Sequence, residues 1–387
     1  MATIKSVSIL IVDGDWVESK DQSPEGIRLV QTGNIGVGEY LDKFNRAKYI
    51  SEETLQRLNC TEVLVGDILI SRLPDPIGRA CIVPGRIGRA ITAVDCTIIR
   101  LDPRKCNAEY FVYYTQSKMY QNRLSQFFAG STRMRISRKN LEQIEIPLPS
   151  IAEQKCIASK FGIVEKLITM RKEQLAKLDQ LVKSRFIELF GDSTNRRSTV
   201  LLEEISDFVT VGIANSATHA YADSGIVMLR NQNIKENYLD ENDLIYITPD
   251  FAKKYGSKQL AENDILVIRT GYPGVACLVP KKYEGCQTFT TLIVRLKDST
   301  SAHANYVCHY INSSFGKDYV EQSKVGVAQQ NFGAKALAKM PIVVPPMELQ
   351  EEFATFVEQT DKSKLAIQAS LDKLELLKKS LMQEYFG

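Results

Sequence analysis

The feature that most constrains this chain is an internal repeat. Residues 149–191 align with residues 345–387 at an offset of 196 without a gap, and thirteen of the 43 aligned pairs are identical. Two shorter segments also recur, GDILISR as NDILVIR and ACIVP as ACLVP, at Gly66–Arg72, Asn263–Arg269, Ala80–Pro84 and Ala276–Pro280. A chain of 387 residues is long enough for two or three domains. The repeat therefore predicts two copies of one folding unit that together cover nearly the whole chain.

Each copy divides into a strand-rich part and a helix. Short β-branched runs such as TIIRL and TTLIVRL, broken by glycine, proline and asparagine, are typical of strands. A long stretch with helical periodicity and no proline follows in each copy. We therefore predict an α+β fold with two strand-rich α/β domains, at residues 1–148 and 193–344, and two long helices, at residues 149–192 and 345–387.

The two helical segments carry apolar residues at alternating spacings of four and three, the heptad pattern of helices that pack on other helices. We expect the helix pair to be held together by Ile157, Phe161, Ile168, Leu175, Leu178, Val182, Leu189, Phe353, Val357, Ile367, Leu371, Leu374 and Leu381. The second stripe is the more polar one, because Thr360, Lys364 and Lys378 lie on it. We predict an antiparallel coiled coil with approximate two-fold symmetry. The alternative is that each helix packs on its own domain.

The common catalytic and metal-binding motifs are missing from the sequence. It contains no GxxxxGK[ST] phosphate loop, no GxSxG turn and no HExxH pair. The eight cysteines form no CxxC pair, and three histidines are few for a metal site. No apolar run approaches the roughly 20 residues of a membrane span. We therefore expect a cytoplasmic chain with free thiols, no metal, no cofactor, no contact with a membrane and no catalytic activity of its own.

The net charge is only +3, but the basic residues are unevenly placed. Residues 110–141 include six lysines and arginines and no acidic residue, and residues 322–347 include three lysines and no acidic residue. Each stretch contains a glycine-initiated loop, GSTRMRI at Gly130–Ile136 and GVAQQNF at Gly326–Phe332, and the offset of 196 makes these two loops equivalent. We call them the first and second reading loops.

The reading loops carry the residue types that recognise base edges in the major groove. Arginine pairs with guanine, and glutamine or asparagine pairs with adenine. The candidate DNA-binding residues are Arg133, Arg135, Arg138 and Lys139 in the first copy and Gln329, Gln330 and Asn331 in the second. The alternative is that both loops are simply solvated. Arg72 and Arg269 end equivalent strands, where a phosphate contact and a structural ion pair are equally compatible with the sequence.

The repeated segments, in the order in which they occur along the chain, resemble those of the specificity subunits of type I restriction–modification systems. The resemblance covers essentially the whole chain and rests on GDIL…SR and NDIL…IR, on ACIVP and ACLVP, and on the helix entries IPLPSIAEQKCIASKF and VVPPMELQEEFATFV. The helix ends LVKSRFIELFGD and LLKKSLMQEYFG belong to the same pattern.

The resemblance implies a fold and a set of partners. The two globular parts would be target-recognition domains, each reading half of a bipartite site in double-stranded DNA. The helices would act as a spacer and dock two modification subunits, which supply S-adenosylmethionine and adenine methylation. A restriction subunit would add ATP-dependent cleavage.

Two other classes of function remain open from the residues alone. One is an enzyme whose motif is not recognised. The other is a coiled-coil adaptor that binds a protein or RNA partner without sequence-specific recognition of DNA. Binding to duplex DNA should weaken steeply as salt rises, whereas the adaptor should bind its partner independently of salt.

Overall fold

The computed structural model describes residues 1–128, 134–191, 199–214, 217–325 and 331–387. The chain forms two compact units, one of Met1–Glu173 with Gln368–Gly387 and one of Gln174–Ile367. Both boundaries fall within long helices, so each unit contains a part of both helices. The predicted α+β fold class is confirmed. The division into four separate segments stays a prediction.

The first unit begins with short strands and helices. Its strands are β1 (Ala2–Thr3), β2 (Ser8–Asp13), β3 (Ile27–Val30), β4 (Lys48–Ile50), β5 (Glu62–Val63), β6 (Ile68–Ser71), β7 (Ala80–Ile82), β8 (Ala90–Thr92), β9 (Cys96–Leu101) and β10 (Glu145–Ile146). Its short helices are α1 (Glu52–Leu58), α2 (Ala108–Thr115), α3 (Lys118–Ser125) and α4 (Arg138–Glu142). One sheet has the order β2-β9-β6-β7 and is antiparallel, and a second has the order β4-β3-β8-β5 with β3 and β8 parallel.

The long helix α5 (Ile151–Phe190) leads to the second unit, which repeats this plan. Its strands are β11 (Thr199–Leu201), β12 (Ser206–Val211), β13 (Tyr221–Ala222), β14 (Ile226–Leu229), β15 (Ile234–Lys235), β16 (Tyr238–Leu239), β17 (Ile245–Ile247), β18 (Ile265–Val267), β19 (Ala276–Leu278), β20 (Gln287–Thr288), β21 (Leu292–Leu296) and β22 (Pro341–Val343). Its helices are α6 (Pro249–Lys254), α7 (Ala304–Asn312), α8 (Ser314–Ser323), α9 (Ala334–Ala338) and the start of α10 (Met347–Phe386). The sheets β12-β21-β18-β19 and β13-β17-β14-β20 correspond to the two sheets of the first unit.

The repeated GDIL and NDIL segments form the same ion pair in each unit, between a buried aspartate and a partly exposed arginine. Asp67, which is 2% exposed, accepts two hydrogen bonds of 2.8 Å from the guanidinium of Arg100 on β9. Asp264, which is 1% exposed, accepts bonds of 2.8 and 2.6 Å from Arg295 on β21. Such two-pronged pairs fix both distance and orientation. The motif therefore joins the start of the β6 or β18 strand to its neighbour in the sheet.

The residue before this aspartate explains why the motif begins with glycine in one copy and asparagine in the other. Gly66 has φ 89° and Asn263 has φ 66°, both in the left-handed region. Glycine enters this region without a steric penalty, and asparagine is one of the few other residues that tolerate it. Gly66 and Asn263 therefore satisfy the same requirement for a left-handed backbone conformation before the aspartate.

A buried glutamine fixes the start of each long helix. Gln154 and Gln350 occupy equivalent positions, and both are 0% exposed. Each accepts a hydrogen bond from a backbone nitrogen, of Asn107 at 2.9 Å or His303 at 2.8 Å. Each also donates to the carbonyl oxygen five residues earlier, at 2.9 and 2.7 Å. Glutamine therefore occurs at this position in both copies because it makes the same contacts between the helix and its own globular part.

In the first unit, the beginning of α5 packs against the end of α10. The rings of Phe161 and Phe386 stack with centroids 6.0 Å apart. Four residues further along α5, Glu165 accepts a 2.7 Å bond from Lys378. Residue numbers rise along one helix and fall along the other, so these segments are antiparallel. Phe161 and Phe386 also belong to the core of the globular part, so the helix ends pack on their own domain as well as on each other.

In the second unit, the end of α5 packs against the beginning of α10 in the same sense. Phe186 and Phe353 meet edge-on at 5.4 Å, and Lys364 pairs with Asp179 at 2.7 Å. The lysines that interrupt the second stripe, Lys364 and Lys378, thus both pair with carboxylates on α5. The thirteen residues expected to hold the helix pair together are all buried or partly buried.

His309, on α7, is a buried titratable group in the core of the second unit. Its Nδ1 lies 2.9 Å from the backbone oxygen of Asn305, and its ring packs against Phe186 and Phe353. Burial lowers the pKa of His309 to about 4, although the contact with Asn305 acts in the opposite direction. The folded unit therefore holds this imidazole neutral.

We expect Asp67→Ala to destabilise the first unit by about 2–3 kcal/mol, because Arg100 loses its carboxylate and the backbone nitrogen of Leu64 loses an acceptor. Urea denaturation followed by fluorescence measures the effect. The matched control is Glu18→Gln, since Glu18 pairs with Lys20 on the exposed surface and its loss should leave the midpoint unchanged. Equal midpoints for Asp67→Ala and the wild type would contradict the role given to this pair.

We expect His309 to make the second unit lose stability as the pH falls from about 6.5 towards about 4. An unfolded histidine takes up a proton near pH 6.5, whereas the folded one resists protonation until about pH 4. Protons therefore bind preferentially to the unfolded chain in this window. Denaturation midpoints of the wild type and His309→Gln, compared between pH 7.5 and 4.5, should show the steeper decline in the wild type. Parallel declines would contradict this assignment.

Candidate nucleic-acid interface

The structure describes the closing residues of both reading loops. Residues 134–136 of the first loop and residues 331–332 of the second are described. Arg133, Gln329 and Gln330 lie outside the described residues. Their predicted contacts with bases stay predictions, and the geometry of the site rests on the residues that follow them.

In the first unit, Arg135 is exposed next to the end of β6. Ile136, which is 0% exposed, donates its backbone N–H to the carbonyl oxygen of Arg72 at 3.3 Å. This bond fixes the end of the first reading loop beside the strand. Met134 and Arg135, the two residues that precede Ile136, are both exposed. Arg135 is thus placed for contact with an external anion or base.

Arg138 and Lys139 lie on α4, directly after the first reading loop. The Ser137 side chain caps this helix by accepting a 3.2 Å bond from the backbone nitrogen of Asn140. Both basic residues are exposed. Arg138 also lies 3.4 Å from Glu142 one turn later. A phosphate contact by Arg138 would therefore compete with this carboxylate, whereas Lys139 carries no such ion pair among the described residues.

Arg72 is held inside the first unit. Its side chain is 11% exposed, and its Nη2 donates a 2.7 Å bond to the backbone oxygen of Val94. Asp13 and Asp95 lie 3.5 and 3.8 Å from the guanidinium. This geometry favours the structural ion pair over the phosphate contact. The sequence could not distinguish the two, because Asp13 and Asp95 are distant from Arg72 along the chain.

In the second unit, two of the candidate DNA-binding residues bind each other. Arg269 donates from Nε to the side-chain oxygen of Asn331 at 3.0 Å, and the Arg269 carbonyl accepts from the backbone of Phe332 at 2.9 Å. Asn331 and Val325 exchange both backbone hydrogen bonds at 3.0 Å, which closes the base of the second reading loop. Arg269 therefore orients the Asn331 carboxamide, leaving its NH₂ group directed away from the guanidinium.

A basic segment that sequence reasoning missed lies at residues 43–48 of the first unit. This KFNRAK segment carries three basic residues and no acidic one, and its Phe44 is 72% exposed. Basic residues alternating with an exposed aromatic ring are typical of surfaces that bind nucleic acid. The turn before the equivalent strand β17 instead carries Glu241 and Asp243. The signal was present in the sequence as this local charge difference between the copies.

Contacts within the first unit link this segment to the loop that follows β6. The ammonium of Lys43 lies beside Gly33, where a β-carbon would approach it to 3.2 Å. Arg79 then joins the two loops, because it donates to the carbonyl oxygens of Thr32 at 2.9 Å and Leu73 at 2.8 Å. Arg79 therefore connects the loop at Thr32, next to the basic segment, with the loop that follows β6. The end of the first reading loop is bonded at the start of that same loop, through the Arg72 carbonyl.

The described residues contain no cluster of histidine, cysteine, aspartate and glutamate that could hold a metal ion. Within those same ranges, none of the helices has the length and apolarity needed to cross a membrane. The exposed groups of the candidate interface are arginine, lysine, amide and aromatic side chains, which bind anions and base edges by hydrogen bonding, charge and stacking.

A protein-family model described as the type I restriction modification DNA specificity domain matches residues 26–180 and, a second time, residues 199–376. The chain belongs to this family. The family match gives no support to the adaptor alternative.

The chain is also similar in sequence to curated proteins that are named as type I specificity subunits. The chain is 27% identical over 320 residues to the type I restriction enzyme StySPI specificity subunit of Salmonella potsdam, covering 74% of this chain and 66% of that protein. It is 21% identical over 314 residues to the EcoKI specificity subunit of Escherichia coli (strain K12), covering 75% and 67%. The match thus spans about two thirds of the length of these relatives.

Solved structures of type I systems share the fold of this family member. The S subunit from M. genitalium aligns with a TM-score of 0.54 at 13% identity, covering 100% of this chain and 95% of that one. A chain from a study of complex assembly and conformational transition of the type I R-M system aligns with a TM-score of 0.61 at 16% identity, covering 100% and 96%. At these identities the similarity shows the fold alone.

We expect Arg72 and Arg135 to respond differently to substitution. Arg72→Met should lower the denaturation midpoint, because Asp13 and Asp95 lose the cation between them. Arg135→Ala should leave the midpoint unchanged, since the side chain is exposed, and should weaken binding to duplex DNA in an electrophoretic mobility assay. If Arg72→Met instead kept its stability and lost affinity for DNA, the phosphate-contact alternative would be correct.

Proposed function

We propose that this chain is the DNA sequence-recognition subunit of a type I restriction–modification complex, in which each unit reads one half of a bipartite duplex site. The observation that carries the proposal is the double family match, one on each repeat. Buried scaffold contacts such as Asp67–Arg100 and Asp264–Arg295 recur in the two units, while the reading loops differ. One scaffold with two different loops suits recognition of two different half-sites.

The residues of the loops suggest how the half-sites differ. The first loop presents arginine, which pairs in two-pronged fashion with the O6 and N7 atoms of guanine. The second presents glutamine and asparagine, which pair with N6 and N7 of adenine. The bond from Arg269 holds the Asn331 amide in one orientation. An adenine edge would then be read by an amide that is already positioned before the DNA binds.

The partners we propose follow from the family. The long helices would set the spacing of the half-sites and dock adenine methyltransferase subunits, two in number, and a restriction subunit would complete the complex. Half-sites on one face of the duplex lie about 34–36 Å apart, and a helix of 40 residues runs about 60 Å. The chain itself would be non-catalytic, with methyl transfer and cleavage left to those partners.

The test is to map methylated adenines in the host genome by single-molecule sequencing, with and without this gene. Loss of one split motif, two short half-sites around a fixed unspecified gap, would support the proposal and reveal both half-sites. If the methylome is unchanged, the full chain with its modification subunits should be offered a random duplex pool across a salt series. Failure to enrich any motif there would overturn the proposal.

We expect the double substitution Arg133→Ala and Arg135→Ala to relax recognition of one half-site only. Each lost two-pronged pair with guanine should reduce discrimination against the wrong base by roughly 5- to 150-fold. The readout is the motif enriched by the variant complex from the same random pool. Gln329→Ala and Gln330→Ala, in the second loop, form the matched variant and should relax the other half. Equal loss at both half-sites would contradict the assignment of one loop to each.

A further inference from the structure

The second unit carries an exposed tyrosine beside its reading loop. Residues Thr270–Gly274, which we call the tyrosine loop, connect the end of the β18 region to β19. Tyr272 at its tip is 82% exposed, the highest exposure among the large hydrophobic side chains of the described residues. An aromatic ring in water is an unfavourable arrangement that burial against a ligand would relieve.

The backbone of the tyrosine loop holds this ring outward. Gly271 and Gly274, on either side of the tip, have φ of 86° and 92°, in the region that favours glycine. Gly274 is buried against α8, where an added β-carbon would come within 2.8 Å of the Val320 side chain. The loop is therefore anchored at Gly274 and turns back sharply at Gly271, so that Tyr272 occupies its outermost position.

Hydrogen bonds attach the tyrosine loop to the second reading loop. Thr270 and Asn331 form an antiparallel bridge, and the Arg269 side chain bonds to Asn331. The same Thr270 accepts from the Asn231 side chain at 3.3–3.4 Å, which braces the loop from the other side. Tyr272 thus lies two residues from a position that contacts the end of the reading loop.

The charge around both loops suits a polyanion. No aspartate or glutamate occurs from Ile265 to Tyr283 or from Gln322 to Met347, whereas both segments contain lysine. The first unit differs at this place, because its corresponding loop has Asp75 at the exposed tip and no aromatic residue there. The first unit has arginines in its reading loop, and the second has a tyrosine beside a loop that lacks arginine.

We propose that Tyr272 stacks on a nucleobase of the half-site read by the second unit, supplying by aromatic contact the affinity that arginine supplies in the first unit. The inference rests on the proposed function, since it requires duplex DNA at this surface. The ligand group is a base face, exposed at a base step that the protein opens or at a base displaced from the stack. Base–aromatic stacking tolerates any base, so Tyr272 adds affinity and the amide of the nearby Asn331 adds selectivity.

The test measures binding of the full chain, in complex with its modification subunits, to a duplex carrying the motif enriched from the random pool. Tyr272→Ala should reduce affinity by roughly 5- to 150-fold, the range for loss of one base–aromatic stack. Tyr272→Phe and Tyr272→Trp should bind nearly as the wild type does. Tyr272→Leu, which keeps an apolar side chain without a ring, should behave like the alanine variant.

Tyr238→Ala is the matched control in the same unit. Tyr238 is 60% exposed. Its pKa is raised by partial burial and by the nearby carboxylates of Asp240 and Asp179, so it lies among acidic groups. This variant should bind DNA as the wild type does. Denaturation midpoints of all variants should be equal, which separates lost contact from lost folding.

The outcomes distinguish this inference from the proposed function. Failure of the wild-type complex to enrich any motif would overturn the proposed function and the inference together. A wild type that selects its motif while Tyr272→Ala binds equally well would overturn the inference alone. Retained affinity in Tyr272→Leu would show an apolar wedge rather than stacking, and equal losses in the phenylalanine and alanine variants would show that the hydroxyl carries the contact. Either result would also overturn the inference.

Discussion

Two helices of 40 residues each carry an apolar stripe that neither can bury alone, and the remainder of the structure depends on this constraint. In the first unit Phe161 meets Phe386, and in the second Phe186 meets Phe353. These rings also enter the cores of the globular parts. Each unit therefore forms around helix segments that are distant in the sequence. The first unit combines two separate stretches of chain, Met1–Glu173 and Gln368–Gly387, whereas the second is the continuous stretch Gln174–Ile367.

The same few buried polar contacts support both units. A carboxylate pairs with an arginine on the neighbouring strand, and a glutamine at the start of each long helix bonds to the backbone on both sides. Leaving such groups unpaired in the interior costs more than their bonds contribute, so they resist substitution. The residues most similar between the copies are thus largely structural, while the exposed loops are free to differ. This separation of scaffold from loop is what a reader of two different half-sites requires.

The candidate interface shows how the same residue type serves different purposes. Arg72 and Arg135 belong to neighbouring backbone segments, yet Arg72 is enclosed by two carboxylates and Arg135 faces solvent. Arg269 has a third arrangement, in which it orients an amide of the reading loop. A basic residue near a recognition loop is therefore not by itself a contact with DNA. Its carboxylate neighbours decide whether its charge is available.

The sequence by itself determined the duplication, the α+β class and the positions of both long helices, because these depend on periodicity and on identity between the copies. It also showed that the two loops predicted to read DNA occupy equivalent positions, since the offset of 196 aligns them. Only the tertiary structure decided which arginines are enclosed, how Arg269 meets Asn331 and where Tyr272 is exposed. The physical reason is that burial and pairing depend on residues brought together from distant parts of the chain. Asp13 lies 59 positions before Arg72 and Asn331 lies 62 positions after Arg269, and no local pattern records either contact.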